Sequence, residues 1–278
     1  MTCREAVRMG EQRLRDAGVP EAANDAWLLF SEAAGMDRTH FFLEQNEPVS
    51  EEQLQTYDRL LRSREQRIPL QQILGTAGFM GMDFLVNEHV LTPRQDTEIL
   101  TEEAIARCRD GFEVLDLCTG SGCIAISLKK LYQGSLHVTA ADLSTEALKV
   151  AQENARRLGA EIDFVQGDLF EHLPGSFDLV VSNPPYIPTA DIEELMPEVR
   201  EHEPMTALDG HEDGLYFYRK ITAEARQHLH RGGALLFEIG CDQGKAVSAL
   251  MQEAGFINTE IKKDYGGLDR VVLGQLPV

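Results

Sequence analysis

From Glu113 onward, short apolar runs alternate with stretches whose apolar positions recur at helical spacing. Val114-Leu115-Asp116-Leu117 is the first run, and it leads through Cys118-Thr119-Gly120-Ser121-Gly122 into a helix carrying Ile124, Ala125 and Leu128. The second run, His137 to Ala141, ends at Asp142. The helix after it opens at Ser144, a residue suited to accept from free N–H groups, and sets Ala147, Leu148, Ala151, Ala155 and Leu158 on one face. The third, Ile162 to Val165, ends near Asp168, and the fourth, Phe177 to Val181, runs directly into Ser182-Asn183-Pro184-Pro185-Tyr186. A helix over 215–229, a fifth strand Ala234 to Ile239, a helix from Ala246 to Ala254 and two last strands, Ile257 to Ile261 and Arg270 to Leu273, complete the pattern. Alternation of this kind predicts a parallel sheet with helices on both faces.

Residues 1 to 72 read differently, as helices only. Ser50 with Gln53 forms a capping box ahead of Leu54, Tyr57 and Leu61. An earlier helix sets Ala23, Ala26, Trp27, Phe30 and Ala34 on one face and stops at Gly35. Nothing in this part carries a polar constellation suited to catalysis. The glycine-punctuated stretch from Gly75 to Val86 reads as a hairpin. The expected division is therefore a helical domain over 1–72, a β-hairpin linker over 73–90 and an α/β domain over 91–278.

Charge narrows the function classes. With 26 basic and 46 acidic residues the net charge is -20, which opposes tight binding to a phosphate backbone. The five cysteines, Cys3, Cys108, Cys118, Cys123 and Cys241, form no CxxC pair and read as small buried hydrophobes in a reducing compartment. Residues 1–10 carry charges without an apolar core, and no apolar run reaches the length of a membrane span, so a cytoplasmic protein is expected. His89, His202 and His211 do not group with any cysteine, and no metal site is expected.

Candidate chemistry sits at the ends of the apolar runs. A strand, a glycine-rich turn, a helix and an acid closing the next strand together can hold a nucleoside. Glycine lets the backbone approach the ligand, and the Asp142 carboxylate, twenty residues after Gly122, can accept both ribose hydroxyl hydrogens. Asp116 and Asp168 read as further contacts in the same crevice, against the plainer roles of strand-end acid and helix cap. In Asn183-Pro184-Pro185-Tyr186, two prolines fix the backbone that follows Asn183. Such a corner suits gripping a planar NH2 group, with two acceptors for its hydrogens and a ring over its face. A hydride-transfer enzyme has no use for that clamp, whereas a methyltransferase acting on nitrogen does.

Asp116 to Gly122, Asp142 and Asn183-Pro184-Pro185-Tyr186 together resemble the class I S-adenosylmethionine-dependent methyltransferases that act on amino or amide nitrogens, and most closely the HemK/PrmC family of peptide chain release factor glutamine methyltransferases. The resemblance extends to Leu91 to Glu98, Glu203 to Gly210, Asp213-Gly214-Leu215, Glu238-Ile239-Gly240 with Gln243-Gly244, and Asp264 to Arg270. It implies an α/β fold: a Rossmann-like seven-stranded methyltransferase sheet, mostly parallel with an antiparallel edge hairpin, plus a small all-α N-terminal domain that recognises the substrate. It implies S-adenosylmethionine as cofactor, held by Cys118, Thr119, Gly120, Ser121, Gly122, Asp142, Asp168, Leu169 and Asn183. Cys118 departs from the glycine common in the wider motif, and Leu169 offers apolar contact to an adenine without stacking. Thr92-Pro93 reads either as support for the methionine end of the cofactor or as a turn before the helix near Asp96.

The implied reaction methylates the side-chain amide nitrogen of the glutamine in the Gly-Gly-Gln motif of class I release factors. Asn183 and Pro184 would accept the amide hydrogens, Pro185 would stiffen the corner, and Tyr186 would cover the amide plane. A monomer without direct nucleic-acid or membrane binding is expected. Two other classes stay in view: an amino methyltransferase acting on a flipped nucleic-acid base, and a non-catalytic cofactor-binding protein. From Asp191 to Asp213 run nine acids against Arg200 alone, a solvated face or a guide for a basic partner loop.

Overall fold

Alternate residues of each central strand enter two different cores, and this places helices on both faces of the sheet. The computed structural model describes residues 1–173 and 175–278. Among these, a first compact unit comprises Met1–Thr76 with Met196–His202, and a second comprises Ala77–Leu195 with Glu203–Val278.

The first unit contains helices α1 (Cys3–Asp16), α2 (Ala22–Ala34), α3 (Arg38–Glu44), α4 (Glu51–Glu65) and α5 (Leu70–Leu74). Ser50 caps α4 through Gln53 in the expected reciprocal box, and Gly35 closes α2 in the left-handed conformation. The buried face of α2 differs slightly from the expected one: Ala22, Ala26, Leu29 and Phe30 are buried, whereas Ala23 is exposed. Spacings of four, seven and eight from Ala22 track the helical period better than the spacing from Ala23. The short returning helix α9 (Pro197–Arg200) belongs here because of charge pairing. Buried Arg64 donates to Asp25 at 2.8 Å and to Glu198 at 2.9 Å, and Arg67 grips both Glu198 oxygens at 2.7 and 2.6 Å. Buried charges persist only when paired.

The boundary falls at the first residue of a hairpin, β1 (Thr76–Phe79) and β2 (Met82–Leu85), the rest of which belongs to the second unit. This hairpin is more than the linker expected over 73–90. Phe79 and Phe84 are 1% and 0% exposed and sit in a core with Leu100, Ile126 and Leu128. Asn154 also holds its far end, accepting from Leu85 N at 2.7 Å and donating to Leu85 O at 3.0 Å. Apolar burial and these backbone bonds make it part of the α/β body.

That body continues through α6 (Gln95–Ile105), β3 (Phe112–Leu117), α7 (Cys123–Leu131), β4 (Leu136–Asp142), α8 (Thr145–Leu158), β5 (Asp163–Gln166) and β6 (Phe177–Ser182). After α9 come α10 (Tyr216–His228), β7 (Leu229–Glu238), α11 (Gly244–Glu253), β8 (Ile257–Lys263) and β9 (Asp269–Gln275). The seven strands lie in the order β5-β4-β3-β6-β7-β9-β8, with β9 antiparallel to both neighbours and the other pairs parallel. Val114, Val181 and Leu236 face the core containing residues of α6 and α7, whereas Leu115, Val180 and Leu235 face the core containing residues of α10 and α11. The chain leaves β3 toward β4 on one side and returns to β6 on the other, so β3 and β6 flank the topological switch point. Open α/β sheets hold ligands at the carboxyl ends of such strands.

Two cysteines depart from the expected burial: Cys241 is exposed and Cys118 only partly covered. Each lies in a turn after a strand, outside the layers that bury Cys3, Cys108 and Cys123. Among the described residues no helix is long and apolar enough to cross a membrane, and no group of His, Cys, Asp and Glu could hold a metal ion.

Candidate active site

Two loops leave the switch point, and a hydrogen bond joins their starts. Ser182 Oγ donates to Leu117 O at 2.8 Å, so the turn after β3 and the corner after β6 begin from one fixed point. The β3 turn must then curl back to start α7. Cys118 adopts φ 60°, Gly120 φ 54° and Gly122 φ 79° to do so. Left-handed backbone costs an L-residue about 1–2 kcal/mol, which explains why glycine is common where Cys118 stands. The bend is held from below by Asp116, whose Oδ2 accepts from Thr119 Oγ1 at 2.6 Å and from Ala125 N at 3.2 Å. Burial pushes the Asp116 carboxyl up to about 7, despite those two donors, and among the described residues Oδ1 has no partner.

A cavity of roughly 280 Å³ opens above this turn. Cys118, Thr119, Gly120 and Ser121 form one wall, and Asp142, Asp168, Leu169, Asn183 and Pro185 lie on others. Four expected residues are not among those lining it, and one of them is Asp116, which is fully buried beneath the turn it holds and so makes no contact in the crevice. Gly122 stands behind the wall, where an added Cβ would lie 3.0 Å from Ala151 Cβ, so glycine is required there by helix packing as well as by φ. Pro184 and Tyr186 belong to the corner without lining the cavity.

The wall residues fit S-adenosylmethionine. Asp142 Oδ2 accepts from Gly120 N at 2.9 Å and Oδ1 from Ser144 N at 2.8 Å, which aims a carboxylate at the cavity without a neighbouring cation. Burial raises its pKa, against the pull of those backbone donors. Such a group suits ribose hydroxyls. Gly120 offers only open space where a Cβ would stand, so a ligand can reach its backbone. Ser121 Oγ is buried on the wall and has no hydrogen-bond partner among the described residues, a group that a polar ligand would satisfy. Leu143 and Leu169 give apolar contact for a base, as a pocket of this kind requires.

The corner after β6 is braced from below. Gln243 donates from Nε2 to Tyr186 O at 2.9 Å and to Gly214 O at 3.3 Å, while its Oε1 accepts from Gly240 N at 2.9 Å. Ile187 N donates to Leu208 O at 3.0 Å and Gly210 N to Ile187 O at 2.8 Å. Gly210 presses so closely on Tyr186 that an added Cβ would lie 2.7 Å from its backbone. Burial pushes the Tyr186 phenol well above its ordinary range, keeping it neutral.

Several site residues were not legible as such in the sequence. Asn183 Nδ2 donates to Thr97 Oγ1 at 3.4 Å, and Glu238, 2% exposed, lies beside both side chains. Its signal, an acid closing the apolar run Ala234 to Phe237, is the same one that marks Asp142. Across the cavity, Arg94 Nη2 grips both oxygens of Glu203 at 2.8 and 2.7 Å, and Thr92 N donates to Glu203 at 3.3 Å. This pair joins two segments that contribute Pro93, Arg94, Pro204 and Thr206 to the cavity wall. Thr92-Pro93 is thus divided: Pro93 lines the cavity, while Thr92 is buried beside Glu203.

Known proteins agree with this architecture. Residues 5–75 match the PrmC N-terminal domain family, and residues 95–198 match the methyltransferase small domain family. The release factor glutamine methyltransferase of Geobacter sulfurreducens is 43% identical over 276 residues, covering 99% of this chain and 97% of that one. A methyltransferase from Pyrococcus furiosus superposes with a TM-score of 0.57 at 20% identity, over 78% of this chain and 100% of that one. The E. cuniculi Mtq2–Trm112 structure, of a complex responsible for methylation of the eRF1 translation termination factor, gives 0.50 at 24% identity, over 68% and 99%. The two structures share the fold, and the full-length sequence match goes further: this chain belongs to the release factor glutamine methyltransferase family.

Proposed function

We propose that this chain transfers a methyl group from S-adenosylmethionine to the side-chain amide nitrogen of the glutamine in the Gly-Gly-Gln loop of class I release factors. The observation that carries this reading is that Asn183 lines the same cavity as the Cys118–Ser121 turn and Asp142, in a chain of this family. When bound, the cofactor supplies a sulfonium-activated methyl group. The protein must do the rest, because a carboxamide nitrogen is a poor nucleophile whose lone pair is delocalised into its carbonyl.

Asn183 Oδ1 and the Pro184 carbonyl oxygen accept the two amide hydrogens, which raises electron density on nitrogen and fixes its direction of approach. Positioning and electrostatics of this type lower a barrier without a strong base. Tyr186, neutral and packed on the corner, excludes water and orients the amide plane. Asp142 and the turn residues hold the cofactor, with Leu169 and Asp168 at its other side.

The helical unit takes the role of recognising the protein substrate. Its support is its own surface: Phe42 and Leu43 stand 73% and 74% exposed on α3. A monomer acting in the cytoplasm belongs to the same proposal. A nucleic-acid base fits the corner but not the net charge of -20. Mass spectrometry of a purified release factor, after incubation with this protein and isotopically labelled S-adenosylmethionine, tests the assignment. One added methyl on the Gly-Gly-Gln glutamine supports it, and an unmodified factor contradicts it.

A further inference from the structure

The Asn183 side chain can serve as an acceptor toward the cavity only if its amide is held the right way round. Oxygen and nitrogen of a carboxamide have nearly the same shape, so neighbours must decide which end faces outward. The decision falls to the residues behind it. Ser182, the last residue of β6, pairs in register with Phe237, so Asn183 just after β6 and Glu238 at the end of β7 both stand at the carboxyl edge of adjacent parallel strands. Thr97, near the start of α6, lies with them: it accepts from Asn183 Nδ2 at 3.4 Å, and its hydroxyl lies beside the Glu238 carboxyl.

Glu238 is 2% exposed and, among the described residues, its Oε2 has no hydrogen-bond partner, an arrangement that costs stability and that an apolar residue would avoid. An ionised carboxylate only accepts. It claims the Thr97 hydroxyl hydrogen, which leaves the Thr97 oxygen as an acceptor for Asn183 Nδ2. With two acceptors behind it, the amide must point nitrogen inward and oxygen toward the cavity. Burial raises the Glu238 pKa, Thr97 and Asn183 oppose that rise, and Arg270 lowers it as well. Those partners recover part of the burial cost while the net effect remains unfavourable to the charge.

We infer that Glu238 is a positioning residue for methyl transfer, which through Thr97 fixes the orientation of the Asn183 amide so that Oδ1 faces the substrate. It touches neither substrate nor cofactor and acts only through Asn183. The inference rests on the proposed grip of Asn183 on the substrate amide.

The experiment compares Glu238→Gln and Glu238→Met with the full-length wild type. It reads single-turnover methyl transfer to a release factor, cofactor affinity by calorimetry, and Tm at pH 8. Glutamine brings an NH2 donor that competes with Asn183, and methionine removes the acceptor. Misorienting one gripping group is expected to slow transfer ten- to a hundredfold in both variants. Cofactor affinity should stay within about twofold, and Tm should rise, because a buried charge has been removed. A merely structural glutamate would give the opposite pattern, with Tm lowered and transfer slowed together, and that result overturns the inference. So does transfer within twofold of wild type in both variants. Asn183→Ala separates the two readings. If it transfers undiminished, the grip itself falls, whereas an inactive Asn183→Ala beside a fully active Glu238→Gln removes only the role of Glu238.

Discussion

Asn183 follows the last residue of one strand and Glu238 ends the parallel strand beside it, the first lining the cavity and the second buried. An acid held there, and another at Asp116, should leave a mark on stability as a function of pH. Burial pushes both carboxyls up to about 7, from ordinary values of 4.5 and 3.8. A raised carboxyl favours the folded state at low pH and loses that contribution as pH rises through the folded value. Each ionised group then costs about 3–4 kcal/mol. The cofactor-free chain should melt at a lower temperature at pH 8 than at pH 5.5, and Glu238→Gln with Asp116→Asn should flatten that decline. An equal decline in the double variant would contradict the assignment.

Asp142 is expected to hold the ribose. Asp142→Ala removes two charge-assisted bonds to hydroxyls, worth roughly 2–4 kcal/mol together. It also frees Gly120 N and Ser144 N, so the turn loosens as well. Calorimetry should show cofactor affinity weaker by at least thirtyfold, and unchanged affinity would take Asp142 out of the site.

The succession of strands and helices was readable because short apolar runs alternate with helically spaced ones, and the glycine turn, Asp142 and Asn183 stood out by falling at strand ends; the order of the strands in the sheet was not. What stayed hidden depends on contacts between distant residues. Nothing near Glu198 in the sequence says that Arg64 and Arg67 will bury it, so the return of 196–202 to the helical unit was not legible. Gln243 looks like an ordinary residue at a helix start until its amide is seen bracing Tyr186. Gly122 gives the reverse lesson: its place in the motif suggests a ligand contact, while its neighbour Ala151 explains it by packing.

The Glu198 pairing yields a stability prediction of the opposite sign to Glu238. Burial alone would raise this carboxyl, but Arg67 and Arg64 outweigh it and hold it at about 2, against an ordinary 4.5. A depressed carboxyl contributes above its unfolded value and loses that contribution as pH falls toward the folded one. The shift corresponds to about 3 kcal/mol. Glu198→Ala should therefore lower the Tm by several degrees at pH 7, with the gap to wild type closing as pH approaches 2–3. An unchanged Tm at pH 7 would contradict it.

Substrate recognition by the helical unit can be separated from chemistry. Phe42→Ser with Leu43→Ser removes two exposed apolar contacts on α3. KM for an intact release factor should rise at least tenfold, as loss of two interfacial apolar side chains implies. A short Gly-Gly-Gln peptide should be methylated at an unchanged rate. Equal effects on both substrates would refute the division of labour.

The most direct test of the whole account is single-turnover methyl transfer by Asn183→Ala, assayed on a release factor and in parallel on DNA and ribosomal RNA. The variant should fold normally, since the prolines set the corner and Gln243 braces it. It should bind the cofactor and transfer the methyl group slower by on the order of a hundredfold or more, because one preorganised acceptor is gone. The wild type should modify the release factor alone. Undiminished transfer by the variant, or wild-type methylation of nucleic acid in preference to the factor, would contradict the central claim.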